Sequence, residues 1–177
     1  MTSYQAGGMI PNCPRDTKFY NHKQAKILAQ TYYDLGYNLY QATLPLLRKK
    51  DCKTEDTWRL WPAFVNLSFS CEIILKLFYE NDNGEMAHGH KFFVDLYDKL
   101  SSESKKLISE LTINTMKING APHYTYDNFE EDLRKSENTF VTERYVFEVV
   151  PGKEHFLQCG FLLEFAKTLN ILGKGIK

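Results

Sequence analysis

Residues 68–100 read SFSCEIILKLFYENDNGEMAHGHKFFVDLYDKL, two apolar segments joined by a short polar turn that ends in Gly89-His90. In the first, Phe64, Leu67, Cys71, Ile74 and Phe78 recur at steps of three and four, with Leu75 widening the stripe, which is the spacing of a buried helix face. That helix is predicted to start near Pro62, because proline is tolerated in a first turn where its missing N–H costs nothing. Asn81-Asp82-Asn83-Gly84 ends it by turn chemistry. A second helix is predicted from about His90 to Leu100, with Phe93, Leu96, Tyr97 and Leu100 on its buried side. Glu72 and Lys76 stand one turn apart on the first helix in the favourable acidic-first order, which reads as a surface ion pair.

Toward the N-terminus, Asn21 and Gln24 resemble a capping box, and Ala25, Leu28, Tyr32, Leu35, Leu39 and Ala42 form a single apolar stripe. Pro45 is expected to bend or end this helix, and RKKDCKTED (Arg48 to Asp56) reads as a charged loop with nothing to bury. Residues 1–16 carry Gly7, Gly8, Pro11 and Pro14 without periodicity, which describes a flexible tail and leaves 17–177 as a single domain. Toward the C-terminus a short helix from about Ser102 shows Leu107, Ile108 and Leu111, and residues 112–126 read as a loop around Gly120 and Pro122. Asp127 with Glu130 gives a further capping signature, and Phe129, Leu133, Phe140, Val141 and Tyr145 continue that helix toward Pro151. The last helix, about Glu154 to Leu172, is apolar over most of its circumference, which implies a central or dimer-buried position. The one β-flavoured run, VTERYVFEVV, is equally well read as helix. The fold class is all-α, an up-and-down helical bundle of five or six helices.

A chain of 177 residues that is 43% hydrophobic is long enough to bury a core and short enough to be one domain. Lys+Arg and Asp+Glu both number 22, so no global field draws the protein to nucleic acid or membrane, and an RNA contact needs a local patch. Cys13, Cys52, Cys71 and Cys159 lack metal-ligand spacing and read as reduced thiols, which places the protein in the cytoplasm. No basic start followed by an apolar run opens the chain, and no segment approaches 18 uninterrupted apolar residues, so neither an export signal nor a membrane span is expected. His88 and His90 form an H-x-H pair without a second ligand cluster, so neither metal nor cofactor is expected.

Glu72 and Lys76 on one helix, followed by Gly89-His90 at the start of the next, resemble the HEPN superfamily (higher eukaryotes and prokaryotes nucleotide-binding). Phe140, Arg144-Tyr145 and Glu148 are similar to a segment of several bacterial HEPN-like proteins. The resemblance implies an α-helical bundle that often dimerises, with RNA or nucleotides as usual ligands. Many members are metal-independent ribonucleases of toxin–antitoxin, RNA-processing or defence systems. On this basis Glu72, Lys76 and His90 form the structural motif, while Arg144 and Tyr145 are the candidate ligand contacts.

The family's nuclease signature is an arginine and a histidine with four to six residues between them. Attack of a 2′-OH on phosphate needs a group that moves protons near neutral pH, which histidine supplies, and a forked cation on the phosphate oxygens, which arginine supplies. This chain departs from that pattern. His155 follows Arg144 only after ten intervening residues that include Pro151-Gly152, and Arg15 and His22, which have the required separation, begin in the tail beside Pro14. Glu148 lies one turn beyond Arg144, as a substitute base or as an ion-pair partner that holds the helix or bridges a dimer. Arg144 and Glu148 are thus the candidate catalytic pair of a metal-independent endoribonuclease. The expected function is an HEPN-like RNA- or nucleotide-interacting protein, a degenerate ribonuclease that forms a homodimer. The alternative is a non-catalytic dimerising domain that binds a partner protein.

Overall fold

Helix α1 spans His22–Leu47, and the Asn21 carboxamide oxygen caps it by accepting from the Gln24 N–H at 3.1 Å. The computed structural model describes residues 21–51, 53–137 and 159–176. Pro45 lies inside α1 near its end, where its missing N–H forfeits one bond of the last turns, and the helix runs on to Leu47 instead of stopping. The face of α1 turned to the core carries Ala29, Gly36 and Thr43, seven residues apart, flanked by Tyr33 and Tyr40. This corrects the predicted stripe: Leu28, Leu35 and Leu39 face outward, and of the expected set Ala25 packs on the core while Tyr32 sets its ring against Phe69 at 4.5 Å. The reason is close approach. A Cβ on Gly36 would lie 2.8 Å from the Ala63 carbonyl oxygen and 2.8 Å from Leu67 Cγ, so only a strip of small side chains lets α1 reach its neighbour.

That neighbour, α3, spans Trp61–Asn83 with Pro62 in its first turn, and a short α2 at Thr54–Trp58 occupies part of the stretch expected to be loop. Helix α3 runs antiparallel to α1, so that His22 meets Glu80, Ala29 meets Ser70 and Gly36 meets Ala63. It is buried on most of its circumference, from Phe64 and Leu67 through Cys71 and Leu75 to Phe78. Within 55–83 lies an apolar window long enough to cross a membrane by length and composition, and the bundle uses it as its central helix. Gly84 in the left-handed conformation, φ 71°, ends α3 where the turn sequence predicts.

Residues 92–99 do not form the expected α-helix. They form a π-helical turn, Phe92–Leu96, running into a 3₁₀ turn, Tyr97–Lys99. The wider π turn brings both Phe92 and Phe93 inward, along with Leu96, Tyr97 and Leu100. Helix α4 spans Ser102–Ile118, well into the predicted loop, because Thr112 and Thr115 donate their hydroxyls to the Ile108 and Leu111 carbonyls at 2.8 Å and stay helical. Helix α5 is Tyr126–Lys135, capped by Thr125 reciprocally with Asn128 and not by Asp127. Its predicted continuation through Phe140 and Val141 lies outside the described residues, as does the 1–16 tail.

Helix α6, Cys159–Gly173, lies parallel to α3, with Asn170 beside Ser70 and Gly173 beside Ile74, and antiparallel to α4, with Thr168 beside Thr115. The four long helices α1, α3, α4 and α6 therefore alternate up and down, and the described residues form an all-α bundle around one core. Phe129 lies at the centre of an aromatic cluster, 5.5 Å from Tyr97, 5.9 Å from Phe161 and 6.1 Å from Phe165. Ser70 donates to the Ala29 carbonyl at 2.8 Å and accepts from Asn170 Nδ2 at 2.7 Å, tying three helices through one buried hydroxyl. Asp82 at the end of α3 receives the Ser101 N–H at 2.9 Å and the Ser104 hydroxyl at 3.0 Å, placing a carboxylate at the positive N-terminus of α4.

Candidate functional site

Glu72 leaves α3 on a side that the Gly89 loop covers, and only 3% of its side chain is exposed. A buried carboxylate is costly unless it is paired, and two cations-in-waiting meet it. Lys76 Nζ lies 2.8 Å and His90 Nδ1 2.7 Å from the same oxygen, Oε1. The surface ion pair expected of Glu72 and Lys76 is therefore a mostly buried one. Oε2 of Glu72 and the hydroxyl of Ser68 one turn earlier are buried and have no hydrogen-bond partner among the described residues.

The loop that delivers His90 is held by its own chemistry. Gly89 adopts φ +103°, and a Cβ there would sit 2.2 Å from Asp95 Oδ2, so glycine is required on both counts. Asp95 occupies that space in order to accept the backbone N–H groups of His90 and Lys91, each at 3.1 Å. Burial alone would raise the Asp95 carboxyl, but those two N–H groups, with the charges of Lys99 and Lys91, outweigh it and hold the group below the usual carboxylate range. From the α5 side the Glu137 carbonyl accepts the Phe92 N–H at 3.2 Å and its carboxylate accepts the Val94 N–H at 3.1 Å. The Arg134 guanidinium stacks 3.5 Å above the Phe93 ring. The His90 imidazole reaches back to α3, while the Asp95 carboxylate takes the backbone N–H groups that precede the turn.

A carboxylate oxygen accepts, so Nδ1 of His90 is the donor of the bond to Glu72. The His90 side chain is 60% exposed, and with Nδ1 turned to buried Glu72 the Nε2 edge is the part at the surface. The arrangement is an imidazole oriented by a carboxylate, with its remaining edge available to exchange a proton or a hydrogen bond with a group arriving from solvent. Lys76 shares the Glu72 oxygen with His90, and the exposed Lys91 follows His90 in the loop, its charge acting on Asp95.

Arg144, Tyr145 and Glu148 lie outside the described residues. His88 is exposed, and among the described residues no three metal-ligating side chains cluster, so His88-x-His90 is split between solvent and Glu72. Cys71 is a buried free thiol, and burial pushes it well up, which makes it an inert core residue. A groove of about 530 Å³ between the end of α3, α4 and α6 is lined by Phe78, Asp82, Ser104, Leu107 and Ile171, but Asp82 there is already spent on the α4 cap. Sequence reasoning missed Asp95, whose signal is a short carboxylate five residues after Gly-His, and Asn170, a lone amide in an apolar run. Comparison with protein-family models, curated proteins and solved structures finds no match to this chain.

Proposed function

We propose that this protein is a cytoplasmic HEPN-like module that binds RNA or nucleotides, with the exposed edge of His90 as a phosphate-facing group. The observation that carries this reading is the meeting of Lys76 and His90 on one oxygen of buried Glu72, which turns an otherwise ordinary loop histidine into an oriented donor–acceptor at the surface. Phosphate oxygens are recognised by charge-assisted hydrogen bonds, and a protonated or proton-sharing imidazole beside Lys91 offers them without metal. Arg144 and Tyr145 are the further contacts of this reading, a guanidinium for phosphate and a phenol ring for a base. Glu148 is the group that a cleaving form would use with Arg144, in a defence or toxin–antitoxin setting.

The test is retention of total RNA and of tRNA on filters, with EDTA present, by the wild-type chain and by His90→Ala, Arg144→Ala and Glu148→Ala. Wild-type retention is expected, weakened about tenfold in His90→Ala and in Arg144→Ala, the worth of one charge-assisted hydrogen bond. RNA shortened by the wild type and spared by Arg144→Ala and Glu148→Ala marks the catalytic form. No retention and no cleavage by any form would remove the RNA reading.

A second reading, a non-catalytic dimerising interaction domain, is favoured by a different observation. The outward face of α1 exposes Ile27, Leu28, Leu35 and Leu39 together.

A further inference from the structure

We propose that one buried water joins the Ser68 hydroxyl to Oε2 of Glu72, which makes Ser68 a positioning residue of the site that presents His90. The inference deepens the His90 reading and rests on it for its functional meaning, because it names what holds the second oxygen of the carboxylate that orients the imidazole. Both cationic side chains meet Glu72 on Oε1, Lys76 Nζ at 2.8 Å and His90 Nδ1 at 2.7 Å. A carboxylate offers about four lone-pair sites over its two oxygens, and it shares its charge between them. Oε2 is buried and has no partner among the described residues. The Ser68 hydroxyl is in the same condition, at 0% exposure. Leaving a buried hydroxyl unpaired is costly, and leaving a buried charged oxygen unpaired costs more.

Ser68 and Glu72 are four residues apart on α3, hence neighbours on one face of the helix. Hydroxyls elsewhere in the bundle turn back onto their own helix: Thr31, Thr43, Thr112 and Thr115 each donate to the carbonyl four residues earlier at 2.8 Å. Ser68 does not, and neither does it bond Oε2 directly. Side chains four apart on a helix start about 5–6 Å from each other, which brings the oxygens at their ends within reach of two O–H···O bonds of about 2.8 Å that meet at one water. Such a water has the right polarity. It accepts from Ser68 and donates to Oε2, so each bond strengthens the next toward the anion. Buried waters sit where polar groups would otherwise go unpaired, and two of those groups face each other here. With both oxygens engaged the plane of the carboxylate is set, and with it the direction of the bond to His90.

A high-resolution crystal structure of the full chain, together with the side-chain ¹⁵N resonances of His90, tests this. No RNA is present, so failure of the RNA reading leaves the result intact, and failure here leaves RNA retention to be judged separately. A water within about 3 Å of both Ser68 Oγ and Glu72 Oε2 is expected. Ser68→Ala is expected to shift the His90 Nδ1 resonance and to lower the thermal midpoint by about 2–4 °C. Ser70→Ala is the control, because that hydroxyl lies two residues away on α3 but serves Ala29 and Asn170. Its midpoint is expected to fall at least as far while His90 Nδ1 stays in place. A Ser68 hydroxyl found donating to the Phe64 carbonyl, with no water between it and Glu72, overturns the proposal. So does an Nδ1 resonance that Ser68→Ala leaves unmoved, or one that Ser70→Ala moves as far.

Discussion

Glu72 shows how the same two residues change meaning with burial. The i,i+4 spacing to Lys76 was legible in the sequence, as was the Gly-His that follows, but nothing in the spacing said that the pair would be covered by the loop it helps to hold. On an exposed helix such a pair contributes a few tenths of a kcal/mol; at 3% exposure the carboxylate is buried, and its loss takes from Lys76 and His90 the oxygen they share. Breaking a buried pair from one side costs about 3–5 kcal/mol, and Lys76, still 18% exposed, can reach water, which puts Glu72→Ala at the lower end. At about 2–4 °C per kcal/mol for a chain of this size, thermal unfolding followed by circular dichroism should fall by roughly 6–12 °C. A drop under about 2 °C would show that the pair does not hold the loop. His90→Ala should cost less, since most of the ring is already in water.

Among the elements, α1 separates what periodicity reveals from what it cannot. The repeat of Leu28, Leu35 and Leu39 correctly marked a helix and an apolar side, yet the core lies on the side of Ala29, Gly36 and Thr43. Large residues dominate any reading of a pattern, whereas close helix packing selects small ones, so the contact face was the quieter signal. Gly36→Ala makes the point measurable. Alanine gains about 1 kcal/mol of helix propensity over glycine. The added methyl would sit 2.8 Å from the Ala63 backbone carbonyl, which cannot swing away, and overpacking of this kind costs about 1–3 kcal/mol. The net is expected to be a lowered midpoint in chemical denaturation, whereas Ala42→Gly on the opposite face loses only the propensity term; a Gly36→Ala chain as stable as the wild type contradicts the packing described. The π and 3₁₀ turns at 92–99 were illegible for a related reason, since a helix of the wrong pitch shows the same apolar spacing over two turns.

For the whole molecule, the all-α class and the alternating long helices follow from patterns visible in the chain, while the placement of its interfaces does not. The last helix was expected to be central or dimer-buried because it is apolar nearly all round. It is central: Phe161, Leu162, Phe165 and Leu169 are buried inside the bundle, where the helix packs on α3 and α4, while its Ile171 stays half exposed. Arg144 and Glu148 lie outside the described residues, and within those residues the candidate site is the loop whose His90 the bundle orients through Glu72. That the oriented imidazole faces RNA phosphate is the claim on which the functional reading stands. It is tested most directly by the histidine side-chain ¹⁵N resonances of the full chain, with His90 assigned from His90→Gln, recorded before and after addition of a short single-stranded RNA. The free protein is predicted to show His90 with Nδ1 protonated and Nε2 bare, and RNA is predicted to shift the Nε2 resonance as that edge takes a phosphate oxygen or a proton. A His90 pair of resonances unmoved at saturating RNA, or a tautomer with the proton on Nε2, would contradict the account.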